Sequence, residues 1–117
     1  MNIIQDLYKT VLSRKENPEE NSYTCYLFEE GLDKILKKCG EECAEMLIAA
    51  KNVQQGQASP ADSHNEDLKN EISDLIFHVL VLCAECGLDW SQVEEVLTER
   101  RNKIGNKKAF RQTDKDT

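Results

Sequence analysis

The chain has 117 residues, a length that fits one domain and allows a modest core. Its 22 acidic against 15 basic residues leave a formal charge of −7, which excludes a general nucleic-acid binder, because such a protein needs a basic surface to displace counterions from phosphates. No run approaches the roughly 20 apolar residues of a membrane span, and Met1 to Asp6 lacks the basic and apolar segments of a leader, so a soluble, cytoplasmic protein without membrane or nucleic-acid partners is expected.

The first helical pattern runs from about Ile3 to Arg14, with Ile4, Leu7, Tyr8, Val11 and Leu12 recurring at helical spacing, and stops before Glu16-Asn17-Pro18. Pro18 to Cys25 is polar and reads as a loop, followed by a short turn around Tyr26 to Glu30. A long helix is expected from about Leu32 to Val53, its core stripe made of Leu32, Leu36, Cys39, Cys43, Leu47 and Ala50. Gly40 inside it costs about 1 kcal/mol against alanine, a hint of close helix packing or of ligand access.

Gln54 to Asn65 is a loop by composition. A further helix from about Glu66 to Cys86 carries Leu68, Ile72, Leu75, Val79, Leu82 and Cys86, with Ile76 and Leu80 widening the apolar face and Gly87 as its stop. The last helix begins after Asp89 or Ser91 and uses Val93, Val96 and Leu97. The expected architecture is all-α and four-helix-bundle-like, one domain over residues 1–105 with a polar, fraying tail at 106–117. Two long helices with wide apolar faces in so short a chain favour a homodimer with a shared core.

The chemistry lies in two acidic combs, Glu41-Glu42-x-x-Glu45 on the first long helix and Glu71-x-x-Asp74 on the second. Residues three apart share a helix face, and both combs border the apolar stripes, so facing helices would gather four carboxylates into one cage. Such a cage suits Mg²⁺, or Mn²⁺, which take carboxylate oxygens and water and are commonly shared with substrate phosphates. One acidic pair alone is usually a solvated face, and it is the repetition at the core edge that raises the functional reading. His78, four residues after Asp74, could orient a metal-bound water or contact phosphate, although a lone helical histidine is more often a hydrogen-bonded boundary residue. Lys34 and Lys38, with Lys37, form a basic group one turn before the first comb and could hold phosphates.

Five cysteines are an odd number, and four of them lie in helical patterns, so reduced thiols are expected. Cys39-x-x-x-Cys43 and Cys83-x-x-Cys86 could supply a zinc set, but no compact knuckle flanks them and core thiols are the simpler reading. A di-iron bundle would call for Glu-x-x-His, which the combs do not contain.

The acidic pattern resembles that of the all-α, MazG-type nucleoside triphosphate pyrophosphohydrolases. With Arg14-Lys15, Ser22-Tyr23-Thr24, Leu27, Gly31, Asp33 to Lys38, Gly40 to Glu45 and Glu71 to His78, the chain resembles the phosphoribosyl-ATP pyrophosphohydrolase family over about Leu7 to Arg101. The resemblance implies Mg²⁺-dependent hydrolysis of 1-(5-phosphoribosyl)-ATP to 1-(5-phosphoribosyl)-AMP and pyrophosphate in histidine biosynthesis. It further implies Glu42, Glu45, Glu71 and Asp74 as metal ligands, with Glu41 beside them; Glu41, or else Glu42, is the expected catalytic base, and Lys34, Lys38, His78, Ser22, Tyr23 and Thr24 are expected around the substrate.

The loop Gln54 to Asn65 is longer than the family pattern leads one to expect. The chain is too short to carry a fused cyclohydrolase domain, so a separate phosphoribosyl-AMP cyclohydrolase is expected to act next. A house-cleaning nucleoside triphosphate pyrophosphohydrolase, or a non-enzymatic helical dimerisation module with solvated acidic stripes, remains the alternative.

Overall fold

The computed structural model describes residues 2–54, 56 and 65–105. Five helices are present among them: α1 (Ile3–Glu16), α2 (Tyr23–Glu30), α3 (Leu32–Gln54), α4 (Glu66–Glu85) and α5 (Trp90–Gly105). The helical fold agrees with the all-α expectation, and among the described residues no helix is long and apolar enough to cross a membrane. The expected tail at 106–117 and nearly all of the Gln54–Asn65 loop lie outside the described residues.

The helix ends follow from local chemistry. Asn2 and Gln5 form a reciprocal capping box at α1, with Gln5 N donating to Asn2 Oδ1 at 2.9 Å and Asn2 N to Gln5 Oε1 at 3.1 Å. At the end of α4, Gly87 takes φ 70°, and its N–H and that of Leu88 close back on Ala84 O (3.3 Å) and Cys83 O (2.9 Å). This pair of bonds is a Schellman motif, and a left-handed residue at that position is why glycine stands there.

One expected loop is a helix. Tyr23–Cys25 begin α2 because Ser22, in extended conformation, caps it by accepting from Cys25 N at 3.2 Å. Gly31 then ends α2 at φ 92°, and α3 starts at the next residue.

Helices α3 and α4 pack as the central antiparallel pair, with Glu45 against Glu71 near the connecting loop and Cys39 against Cys83 farther from it. Helices α1 and α2 cover the loop-distal half of this pair, and α5 rests on α1. The core joins Tyr8 and Val11 of α1, Leu27 of α2, Ile35 of α3, and Leu80, Val81, Cys83 and Ala84 of α4. Lys15 of α1 donates from Nζ to Ala84 O at 2.8 Å, placing a cation at the carbonyl end of α4, where the helix dipole favours it.

The core stripe expected on α3 is displaced. Ile35, Glu42 and Ala49 are buried, whereas Leu32, Leu36, Leu47 and Ala50 are exposed and Cys39 and Cys43 lie between. On α4, Ile72 and Cys86 are exposed, the other stripe residues are half-buried, and the buried side is His78, Leu80, Val81, Cys83 and Ala84. On α5, Val93 packs against the core, but Val96 and Leu97 are exposed. The reason is that both long helices carry apolar residues on two adjacent strips, and periodicity cannot say which strip the neighbouring helices will cover.

Gly40 is exposed, and a Cβ built there would meet nothing within 4 Å. The close helix packing suggested for it is therefore absent among the described residues.

Candidate metal centre and substrate site

The pairing of α3 with α4 brings one carboxylate oxygen each from Glu42, Glu45 and Glu71 within 4.8 Å of one another. Among the described residues this is the one group of three or more such side chains close enough to share an ion. Glu42 faces inward and is only 7% exposed, because the buried strip of α3 that runs Ile35, Glu42, Ala49 passes directly through its position.

One oxygen of Glu42 and one of Glu71 are buried and have no hydrogen-bond partner among the described residues. A buried unpaired carboxylate oxygen is costly, so the arrangement lacks a partner that the protein itself does not supply. The strain also shows in protonation. A hydrogen bond with Glu45, then desolvation, then the charges of Glu45, Glu42 and Asp74, push the Glu71 carboxyl up from 4.5 to about 7. Three carboxylates that bring hard oxygens within 4.8 Å of one another, two of them with a buried oxygen lacking a hydrogen-bond partner among the described residues, fit a small divalent cation.

The remaining predicted residues take different places. Asp74 is exposed and stays outside the trio, while its backbone oxygen contacts His78 Nδ1 at 2.7 Å. Glu41 is held by lysines at the rim, 3.9 Å from Lys37 and 3.2 Å from Lys38. Lys38 also reaches Glu42 at 3.6 Å, and its ammonium is pushed up chiefly by the hydrogen bond to Glu41. Lys34 lies 5.8 Å from the centroid of the Tyr26 ring.

His78 is 5% exposed and its two ring nitrogens are both engaged. A carbonyl only accepts, so Nδ1 carries the proton toward Asp74 O, and in the neutral ring Nε2 accepts from Tyr23 Oη at 2.9 Å. Neither nitrogen is left for a phosphate or a metal-bound water. Tyr23 in turn stands beside Lys38 and Glu42, and its phenol is pushed up chiefly by burial, with Lys38 opposing. Ser22 uses its hydroxyl to cap α2. Thr24 is half-buried on the same short helix.

Tyr26, which the residue pattern placed only in a short turn, stands beside Tyr23. Its ring lies 6.0 Å from that of Tyr23 at an interplanar angle of 26°, and both rings are substantially exposed. The signal was available in the spacing of three between Tyr23 and Tyr26, but only had α2 been recognised as a helix reaching back to Ser22. All five cysteines are free thiols.

The family model for phosphoribosyl-ATP pyrophosphohydrolase matches residues 4–101. A protein of Clostridium novyi (strain NT), described as phosphoribosyl-ATP pyrophosphatase, is 45% identical over 95% of this chain and 92% of its own length. A protein of the same description from Listeria welshimeri is 44% identical over 96% of this chain and 98% of its own, and one from Clostridium acetobutylicum is 47% identical over 93% and 90%. The matched span contains α3 and α4 entire and every member of the acidic trio. On this match, the chain belongs to the phosphoribosyl-ATP pyrophosphohydrolase family.

Proposed function

We propose that this protein hydrolyses 1-(5-phosphoribosyl)-ATP to 1-(5-phosphoribosyl)-AMP and pyrophosphate, as a step of histidine biosynthesis. The observation that carries the chemistry is the trio Glu42, Glu45 and Glu71 with its two orphaned oxygens. The substrate identity follows the family and the relatives' descriptions.

Glu42, Glu45 and Glu71 would hold Mg²⁺ or Mn²⁺, with Asp74, three residues along α4, completing the acidic set. The cation, when bound, supplies positive charge that offsets the triphosphate and the departing pyrophosphate. Lys34 and Lys38, one turn apart on α3, add cations on the approach to the trio. Glu41, at the rim rather than in the trio, takes a proton from the attacking water, with Glu42 as the alternative base. The bond between the α and β phosphates breaks, and pyrophosphate leaves as one unit.

The working unit is a homodimer. Helices α1 and α2 leave the loop-proximal part of the α3/α4 pair uncovered, and there Leu47 and Ile48 are 60% and 61% exposed, with Ile72 at 40%. Such an apolar patch beside an acidic site is where a second copy gains most by packing.

The experiment is a phosphorus-resolved product assay on phosphoribosyl-ATP and ATP at equal concentration, in Mg²⁺ and then in chelator. Pyrophosphate from phosphoribosyl-ATP in Mg²⁺ alone is the expected result. Orthophosphate as first product, equal rates on ATP, or activity that survives chelation would each overturn one part of the assignment.

A further inference from the structure

The exposed pair Tyr23 and Tyr26 has no structural task that explains both rings. Tyr23 is 46% exposed and Tyr26 42% exposed, on an eight-residue helix whose core contribution comes from Cys25 and Leu27. The rings stack on each other at 6.0 Å, and Tyr23 leans on Phe77 at 6.1 Å and meets His78 edge-on at 5.7 Å. One aromatic surface thus has a solvent side made by Tyr26 and Tyr23 and an inner side fixed by α4.

The charged groups beside this surface come in a definite order. Lys34 lies against Tyr26, Lys38 and Glu42 stand next to Tyr23, and Glu45 and Glu71 follow toward the loop end of the helix pair. From Lys34 to Glu45 the helix rises about 16 Å. Aromatic faces, then lysines, then an acidic cation site is the order in which a nucleotide carries its base, its phosphates and their counter-ion.

We propose that Tyr26 and Tyr23 form the stacking face for the purine base of the substrate, and that His78 is a positioning residue that acts through Tyr23. This inference rests on the nucleotide-hydrolase reading above. The base lies on the exposed rings, where stacking is favourable for any purine. It displaces the Lys34 ammonium, whose exposed contact with the Tyr26 ring is weak, and frees that lysine for a phosphate. His78, fixed at Nδ1 by the Asp74 carbonyl, accepts from Tyr23 Oη and holds the ring at its angle. The base site is thereby tied to α4 at Asp74, about one turn from Glu71 of the acidic trio.

The test compares titration calorimetry of adenosine 5′-monophosphate and ribose 5-phosphate, which differ only by the base, on the full chain and on variants Tyr26→Leu and Tyr26→Phe. The parent and Tyr26→Phe are expected to bind the nucleotide about tenfold tighter than the sugar phosphate, and Tyr26→Leu to lose that difference. Equal affinities in the parent, as when a second copy covers the rings, or a difference that survives in Tyr26→Leu, overturns the stacking face.

Kinetics supply the second arm. Tyr26→Leu should raise KM about tenfold with kcat within about twofold. Tyr23→Phe keeps the ring but removes the hydrogen bond, and should raise KM by a smaller factor. A double variant with His78→Gln should then be no worse than the poorer single. Unchanged KM in Tyr23→Phe, or additive losses in the double variant, removes the positioning role. A parent that shows base-dependent binding yet does not hydrolyse phosphoribosyl-ATP would sink the substrate assignment and leave the stacking face standing.

Discussion

Glu42 of α3 and Glu71 of α4 place carboxylate oxygens within 4.8 Å of each other, and each keeps a buried oxygen without a hydrogen-bond partner. Two anions so placed oppose folding unless a cation or a proton intervenes. Removing one charge while keeping its volume therefore separates stability from function. Glu42→Gln and Glu71→Gln should each lower kcat/KM by about 100-fold or more, with unchanged helicity by circular dichroism and an unchanged or higher melting temperature without metal. Full activity in both variants would remove the trio from the mechanism.

The same crowding sets a pH dependence. The Glu71 carboxyl is raised from 4.5 to about 7, so between those values the folded state holds a proton that the unfolded state has released. Stability must then fall as pH rises from about 4.5 to about 7. Saturating Mg²⁺ should flatten that slope and raise the melting temperature at pH 8 more than at pH 5. Thermal scans across pH, with and without Mg²⁺, measure this, and a slope of opposite sign without metal would contradict the proton-sharing arrangement.

Ser22 offers a separation of capping from substrate binding. Its hydroxyl accepts from Cys25 N at 3.2 Å, so Ser22→Ala should destabilise the fold by about 1 kcal/mol. Ser22→Asp, also a good cap, should restore stability. An Ala variant with unchanged stability but raised KM would show that the hydroxyl serves the substrate instead.

Gly40 has open space where a Cβ would stand, so in the isolated subunit Gly40→Ala should stabilise α3 by about 0.5–1 kcal/mol. Unchanged kinetics would accompany a purely conformational gain. A fall in stability or in kcat/KM would mark close approach of a partner subunit or of the substrate at that turn.

For assembly, the exposed Leu47 and Ile48 give the direction. Unfolding should depend on protein concentration, and Leu47→Lys should shift sedimentation toward the monomer and lower the melting temperature. A parent that sediments as a monomer at micromolar concentration would rule out the dimer.

Helix positions were largely legible in the residue pattern, because periodic apolar residues and local stop signals such as Gly87 act over a few residues. The α3 and α4 limits fall within a residue of those expected, and Tyr8 and Val11 of α1 are buried as their spacing suggests. The acidic combs were legible for the same reason: a spacing of three on a helix shares a face whatever surrounds it. What the sequence could not decide was which of two adjacent apolar strips on α3 turns inward, since Ile35 and Leu36 are equally apolar and only the packing of α2 and α4 buries the first and leaves the second exposed. That same choice drew Glu42 into the interior, while the packing of α4 left Asp74 at the surface. It also depended on contact between distant elements that His78 would spend its second nitrogen on Tyr23, because a hydrogen bond between residues far apart in the chain exists only once helices α2 and α4 have met.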